Sequence, residues 1–211
     1  MSLLLCFISV GLIAYLIGSF PTGYIVGRLR GIDVRSVGSG NVGATNVTRV
    51  LGKQFGCPVF VIDFLKGLVA VLLAVVLGHR FQVDAIGRDL CAAVGGIFSV
   101  VGHSYPVWLG FKGGKGVATS LGVIFGISWI AALIMSAVWI ITFKATRYVS
   151  VASIAAAIAL PVAMITLLFL DELRSPVLVY FSLCLAAIVV FRHRSNLSRL
   201  VSGTEPRFAR K

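Results

Sequence analysis

Six long apolar runs, separated by short polar stretches, constrain this chain more than any other feature. About 20 apolar residues rising 1.5 Å each cross a hydrocarbon core of ~30 Å. Five runs are candidates for that length: Ser2 to Gly27, Cys57 to Leu77, Leu90 to Leu109, Val149 to Leu170 and Pro176 to Phe191. Composition agrees, because with 58% hydrophobic and 12% charged residues over 211 positions the polar sequence is too scarce to cover a soluble globule. The expected fold is an all-α, polytopic integral membrane helix bundle. No Pro/Ser-rich linker, low-complexity tract or shift in composition divides it, so residues 1–211 are read as a single membrane domain. The first run lacks a basic n-region and is long for a signal sequence, so it is read as a retained span.

The sixth run, Val117 to Phe143, has 27 residues and would make a helix of about 40 Å if unbroken. Charge decides how it is read. Arg28, Arg30, Arg35, Arg49 and Lys53 follow the first run, Lys112 and Lys115 follow the third, and six basic residues lie beyond Phe191. With the N-terminus outside, these segments share the cytoplasmic side. The outer loops, His79 to Asp89 and Asp171 to Ser175, carry no basic excess. A single crossing of the sixth run would put Lys144, Arg147 and the basic tail outside. A break near Gly126-Ile127-Ser128 makes a hairpin instead and returns them inside. That gives about seven transmembrane helices, a cytoplasmic C-terminus, and fifteen of nineteen Lys and Arg in inner loops. The net charge of +12 is therefore read as membrane topology, with no nucleic-acid partner.

The four cysteines, Cys6, Cys57, Cys91 and Cys184, are distant in sequence and lack metal-ligand spacing. Neither a disulfide framework nor a metal site is indicated.

Three inner segments have compositions suited to phosphate. The first runs from Ser36 to Arg49 and contains Ser39-Gly40-Asn41-Val42-Gly43-Ala44-Thr45-Asn46. Small residues let backbone N–H groups approach an anion, hydroxyls and amides add donors, and Arg49 supplies a planar fork. The segment lacks the Lys-Ser/Thr ending of a nucleotide P-loop. A flexible Gly-rich turn is the plainer reading. The second pairs Gly102-His103 with Lys112-Gly113-Gly114-Lys115-Gly116, where two lysines can converge on one anion or simply anchor the interface. His103 can donate to a phosphate or bond a neighbouring helix. The third, Arg192 to Leu200, sets His193, Asn196 and Leu200 on one helical face. It can read a phosphorylated substrate or lie on anionic headgroups. Tyr148 and Ser150 add hydroxyls on the same side. Asp63 and Lys66, spaced i, i+3 inside the second run, are either functional intramembrane charges or a local ion pair. His79 to Asp84 matches a loose H-x-x-x-x-D acyltransferase pattern on the outer side, and is set aside as coincidence. On the residues alone, a membrane carrier for phosphorylated anions and a non-catalytic lipid-binding scaffold stand beside an enzyme.

Taken together and in order, the Ser39 to Asn46 segment with Arg49, Gly102-His103 through Gly116, and His193-Arg194-Ser195-Asn196 through Glu205 resemble the three motifs of the bacterial acyl-phosphate:glycerol-3-phosphate acyltransferases, the PlsY family. The resemblance covers essentially the whole chain. Val42 stands where proline is expected in many relatives, which leaves that loop less stiff. The resemblance implies transfer of a fatty acyl group from acyl phosphate to the 1-hydroxyl of glycerol 3-phosphate, giving lysophosphatidic acid and phosphate. It implies no cofactor, no acyl-CoA and no acyl-carrier protein, a membrane-lipid environment, and a bacterial cytoplasmic membrane with the site facing the cytoplasm. Ser39, Gly40, Asn41, Gly43, Ala44, Thr45 and Asn46 would cradle the acyl phosphate. Arg49, Lys112, Ser150, His193 and Asn196 would bind glycerol 3-phosphate, with Lys115 serving either anion, and catalysis would fall to Arg49, Lys112, His193 and Asn196. The donor's own phosphate would accept the hydroxyl proton, with His193 as general base the competing idea. The topology has a direct check: a cysteine introduced by Lys144→Cys should resist a membrane-impermeant thiol reagent applied from outside, and labelling from outside would eliminate seven spans.

Overall fold

The computed structural model describes residues 3–173 and 175–208. Ser2 at the head of the first expected span, Arg174 of the second outer loop, and Arg210 and Lys211 of the basic tail lie outside the described residues. Those described form helices and loops with no strand. They make two compact units, one ending at Ile127 and the other beginning at Ser128.

The first unit contains α1 (Leu3–Ser19), α2 (Thr22–Leu29), α3 (Ala44–Leu51), α4 (Lys53–Arg80), α5 (Ala85–Ser104) and α6 (Val117–Ile127), with a 3-10 turn at Val107–Leu109. The first apolar run is not one continuous helix as the sequence suggests. It breaks at Phe20-Pro21, because Pro21 has no N–H to donate and its ring disfavours helical backbone at Phe20. Asp84 ends the turn after α4 by accepting the N–H of Gly87 at 2.7 Å, capping α5.

The second unit contains α7 (Trp129–Thr146), α8 (Val149–Phe169), α9 (Val177–Arg192) and α10 (Arg194–Val201). The expected break in the sixth run is present: α6 stops at Ile127 and Ser128 caps α7 through its hydroxyl, which accepts from Ala131 N–H at 3.3 Å. With 11 residues, about 16 Å of helix, α6 covers about half a hydrocarbon core. Among the described residues, five helical stretches are long and apolar enough to cross a membrane, and α9 with α10, bent by 54°, makes a sixth if the pair is one span.

Many large apolar side chains lie on the outside, and small residues are frequent inside beside buried Ile124, Leu160, Met164 and Leu185. Leu4 is 67% exposed and Phe169 83%, whereas the buried positions of α8 are mainly Ala, Ser and Leu. This is how a helix apolar all round is used in lipid, where helices gain by close backbone approach and need no moment to direct them. Between α1 and α5, Gly18 touches the backbone of Ser99 and Gly102 the carbonyl of Tyr15; between α4 and α6, Gly67 touches Thr119 and Gly122 touches Phe64. A Cβ at any of these four would overlap backbone. One core cluster joins Cys6, Val10, Ala74 and Cys91, the two thiol sulfurs lying 3.6 Å apart. Another joins Val34, Val42, Val47, Val59 and Leu109. Val59 and Ala74 separate the two clusters along α4 by about 22 Å.

Gly102→Leu should therefore destabilise the protein by about 1–3 kcal/mol, the range of overpacked cores. Thermal unfolding in detergent reads this, with Leu4→Ala on the outer apolar surface as the near-neutral comparison.

Candidate functional site

The segment from Asp33 to Gly43 is an ordered loop leading into α3, held by its own side chains and by Asn46 of that helix. It opens on a fork in which Arg35 donates from Nη2 to Asp33 Oδ2 at 2.7 Å and from its backbone N–H to Oδ1 at 3.0 Å. These side-chain and backbone hydrogen bonds from Arg35 hold the Asp33 carboxyl down at about 2. Val34 and Val42 are buried. Asn46, also buried, closes the loop: its Oδ1 accepts the Ser39 N–H at 2.8 Å, and its Nδ2 donates to the carbonyls of Val34 and Val37 at 2.9 and 3.1 Å. Gly38 and Gly40 have φ of +61° and +69°, a backbone state that costs a side-chain-bearing residue strain. Asn41 Oδ1 accepts the Gly43 N–H at 2.8 Å, so Gly43 leads into α3 with the N–H groups of Ala44 and Thr45 at the helix head. Such a terminus favours anions. Ser39, Gly40 and Arg49 are exposed. Within the expected set, Asn46 shapes the loop with its side chain, and Ser39 and Gly40 lie on its outer surface.

The Lys112 to Lys115 loop is fastened to the end of α5. Gly113 N–H donates to Ser104 O at 3.1 Å and Gly114 N–H to His103 O at 3.0 Å, satisfying carbonyls of the last helical turn. A side chain at Gly114 would occupy the place of the His103 ring. The two glycines thus have a second reason beyond leaving room between lysines: they let the loop lie flat on α5. Lys112 is exposed and Lys115 half-buried.

Asp63 and Lys66 form an ion pair at 2.9 Å, both buried. The pair is more than local. Thr22 Oγ1 donates to Asp63 Oδ1 at 3.1 Å, Lys66 Nζ donates to the Phe20 carbonyl at 3.1 Å, and His103 Nδ1 lies 3.7 Å from Asp63 Oδ1. These groups border a small cavity that also touches Val42. His103 accordingly sits among helices and takes the structural option left open by its sequence position.

In the second unit the centre is Glu205, which sequence reasoning did not single out. Ser150 Oγ donates to its Oε1 at 2.7 Å, Asn196 Nδ2 to the same oxygen at 2.6 Å, and Arg199 Nε to Oε2 at 2.8 Å. Burial raises the Glu205 carboxyl, but the three donors outweigh it and hold the group below its ordinary value. The tail beyond is strapped over the turn between α7 and α8: Arg207 Nε donates to Thr146 O at 3.0 Å, Phe208 N–H to Arg147 O at 3.1 Å, and Arg207 lies over the Tyr148 ring. The available signal was a lone acid in an otherwise basic tail.

His193 and Asn196 are both buried, but the single helix on which they would share a face with Leu200 is broken at His193. His193 sits at the bend, and Asn196 in the first turn of α10. His193 Nδ1 lies 2.8 Å from the Val189 carbonyl. A carbonyl only accepts, so Nδ1 carries a proton. In the H-x-x-x-x-D match, by contrast, Asp84 is spent on capping α5.

Residues 8–203 match the family model for glycerol-3-phosphate acyltransferase. The chain is similar to glycerol-3-phosphate acyltransferases of Aquifex aeolicus (strain VF5), at 48% identity with 92% of this chain and 95% of that one covered, and of Geobacter sulfurreducens, at 46% with 93% and 94% covered. It is also similar to a solved structure of PlsY (YgiH), an integral membrane glycerol 3-phosphate acyltransferase, in its glycerol 3-phosphate form: 43% identity, 96% of each chain covered, TM-score 0.83. The lysophosphatidic acid form of PlsY matches with a TM-score of 0.80, covering 96% of this chain and 95% of that one.

Glu205→Gln should lower stability at neutral pH by about 2 kcal/mol, the scale of charge-assisted hydrogen bonds. Because the folded-state carboxyl titrates below its ordinary value, its contribution is full above the ordinary carboxylate range and lost as pH falls through the lowered value. Unfolding temperatures of wild type and variant should converge as the pH is brought down through that window.

Proposed function

Because this chain belongs to the glycerol-3-phosphate acyltransferase family, we propose that it takes its acyl group from acyl phosphate and delivers it to the 1-hydroxyl of glycerol 3-phosphate, giving lysophosphatidic acid and inorganic phosphate. It is a multi-pass membrane protein. On this reading it acts as a single domain of the bacterial cytoplasmic membrane, with its polar loops on the cytoplasmic side and without acyl-CoA or acyl-carrier protein. The observation that carries the reading is the loop closed by Asn46, which orders exposed Ser39 and Gly40 beside the head of α3. The glycerol 3-phosphate and lysophosphatidic acid forms of PlsY support the acceptor and the product.

The chemistry needs little from the protein beyond placement. The C1 oxygen of glycerol 3-phosphate bonds to the acyl carbon, the bond from that carbon to the phosphate oxygen breaks, and the hydroxyl proton leaves with the phosphate. Phosphate is already a good leaving group, so positioning and charge stabilisation supply most of the rate. The backbone and small polar side chains of Ser39 to Asn46 hold the donor phosphate, with Asn46 ordering the loop. Arg49, Lys112, Ser150, His193 and Asn196 hold glycerol 3-phosphate, and Lys115 serves either anion. His193, buried at the bend between α9 and α10, is the residue assigned to the glycerol hydroxyl. That role requires hydrogen bonding only, whereas a general base must also take the proton.

Purified protein given acyl phosphate should release phosphate only when glycerol 3-phosphate is present. No acceptor-dependent release would sink the enzyme, and acceptor uptake by vesicles without release would indicate a carrier. His193→Ala should lose glycerol 3-phosphate binding along with activity. An inactive variant that still binds would make His193 the base.

A further inference from the structure

We propose that Asp63 is a positioning residue for acyl transfer, its buried carboxylate fixing the Lys112 to Lys115 loop relative to the Ser39 to Asn46 loop. This rests on the reading of those loops as holders of the two phosphates. Asp63 is 2% and Lys66 7% exposed, in a helix otherwise apolar at its buried positions. Burying such a pair costs desolvation on both ions, and well-shaped apolar side chains often replace one at no loss of stability. An i, i+3 pair that existed only for itself would also need no partner from another helix. This one has them.

From Asp63 one path runs to each loop. Thr22 Oγ1 donates to Asp63 Oδ1 at 3.1 Å, and Lys66 Nζ reaches from the same carboxylate to the Phe20 carbonyl. Together they pin the two sides of the Pro21 break. The next residue, Gly23, lies against the carbonyl of Val42 with no room for a Cβ, so the Ser39 to Asn46 loop rests directly on the pinned segment. On the other side, His103 lies 3.7 Å from Asp63 Oδ1, its ring covers Gly114, and its carbonyl accepts the Gly114 N–H at 3.0 Å. Lys112 and Lys115 flank that glycine pair. Displacing the carboxylate therefore shifts one loop against the other, and a misplacement of about 1 Å is enough to weaken catalysis strongly.

The test replaces the pair as a unit. Asp63→Leu with Lys66→Met removes both charges and should unfold near the wild-type temperature, while the KM for glycerol 3-phosphate in the phosphate-release assay rises about tenfold. Loss of folded protein lowers the apparent kcat but leaves KM alone, so KM separates positioning from stability. Asp63→Glu keeps the charge but moves it by one methylene, and should fold with a raised KM as well. A wild-type KM in either folded variant overturns the proposal. Should the double variant not fold, Thr22→Val decides in its place: it spares the ion pair and removes one hydrogen bond, and unchanged kinetics would again overturn it. Wild type assayed in parallel distinguishes the two failures. Without acceptor-dependent release from wild type the reading of the loops falls and this proposal with it; an active wild type with unaffected variants removes only the role of Asp63.

Discussion

In hydrocarbon a helix must satisfy its own backbone, so any place where the helical ladder is interrupted needs a polar side chain to attend it. Three interruptions organise this protein. At Phe20-Pro21 the carbonyl of Phe20 is met by Lys66. At Ser128 the hydroxyl caps the first turn of α7. At His193 the ring turns back to the carbonyl of Val189. Two of these attendants, Lys66 and His193, bring ionisable groups into buried positions that an unbroken helix would have had no use for.

Each compact unit then gathers donors on one carboxylate. Asp63 collects Thr22 and Lys66; Glu205 collects Ser150, Asn196 and Arg199. The two carboxylates differ in cost. Asp63 is paired inside helices, where an uncompensated charge is expensive, so its partner Lys66 is close and equally buried. Glu205 belongs to the tail, where a partly exposed arginine suffices and a backbone strap over Thr146 and Arg147 holds the segment down. A chain with net charge +12 thus uses its few acids as organising points and leaves a surplus of basic side chains. Arg49 and Lys112 are among the exposed basic side chains.

Glycine supplies the complementary device. Where α1 meets α5 and α4 meets α6, it admits backbone against backbone. At Gly113 and Gly114 it lets a loop lie on the end of α5, so that a lysine-bearing segment inherits the rigidity of a helix.

Much was legible in the amino-acid sequence by itself: helices in a membrane, the break before Trp129, three polar motifs in order, and the family they resemble. Those are properties of length, periodicity and local chemistry, which act over a few residues and survive without knowledge of contacts. The Pro21 break was also local, but a long apolar run masks it, because one proline in twenty-seven residues hardly changes hydropathy. Only the tertiary structure decided what each polar side chain does. Asn46, expected to help cradle the donor phosphate, also closes its own loop; Asp63 and Lys66, left open as functional intramembrane charges or a local ion pair, are tied to α2, α5 and the Pro21 break; Glu205, quoted only as the end of the third motif, is the hub for Ser150 and Asn196. Each of those assignments depends on partners seven to fifty-five residues away, and a hydrogen bond is decided by distance in space, which spacing along the chain does not report.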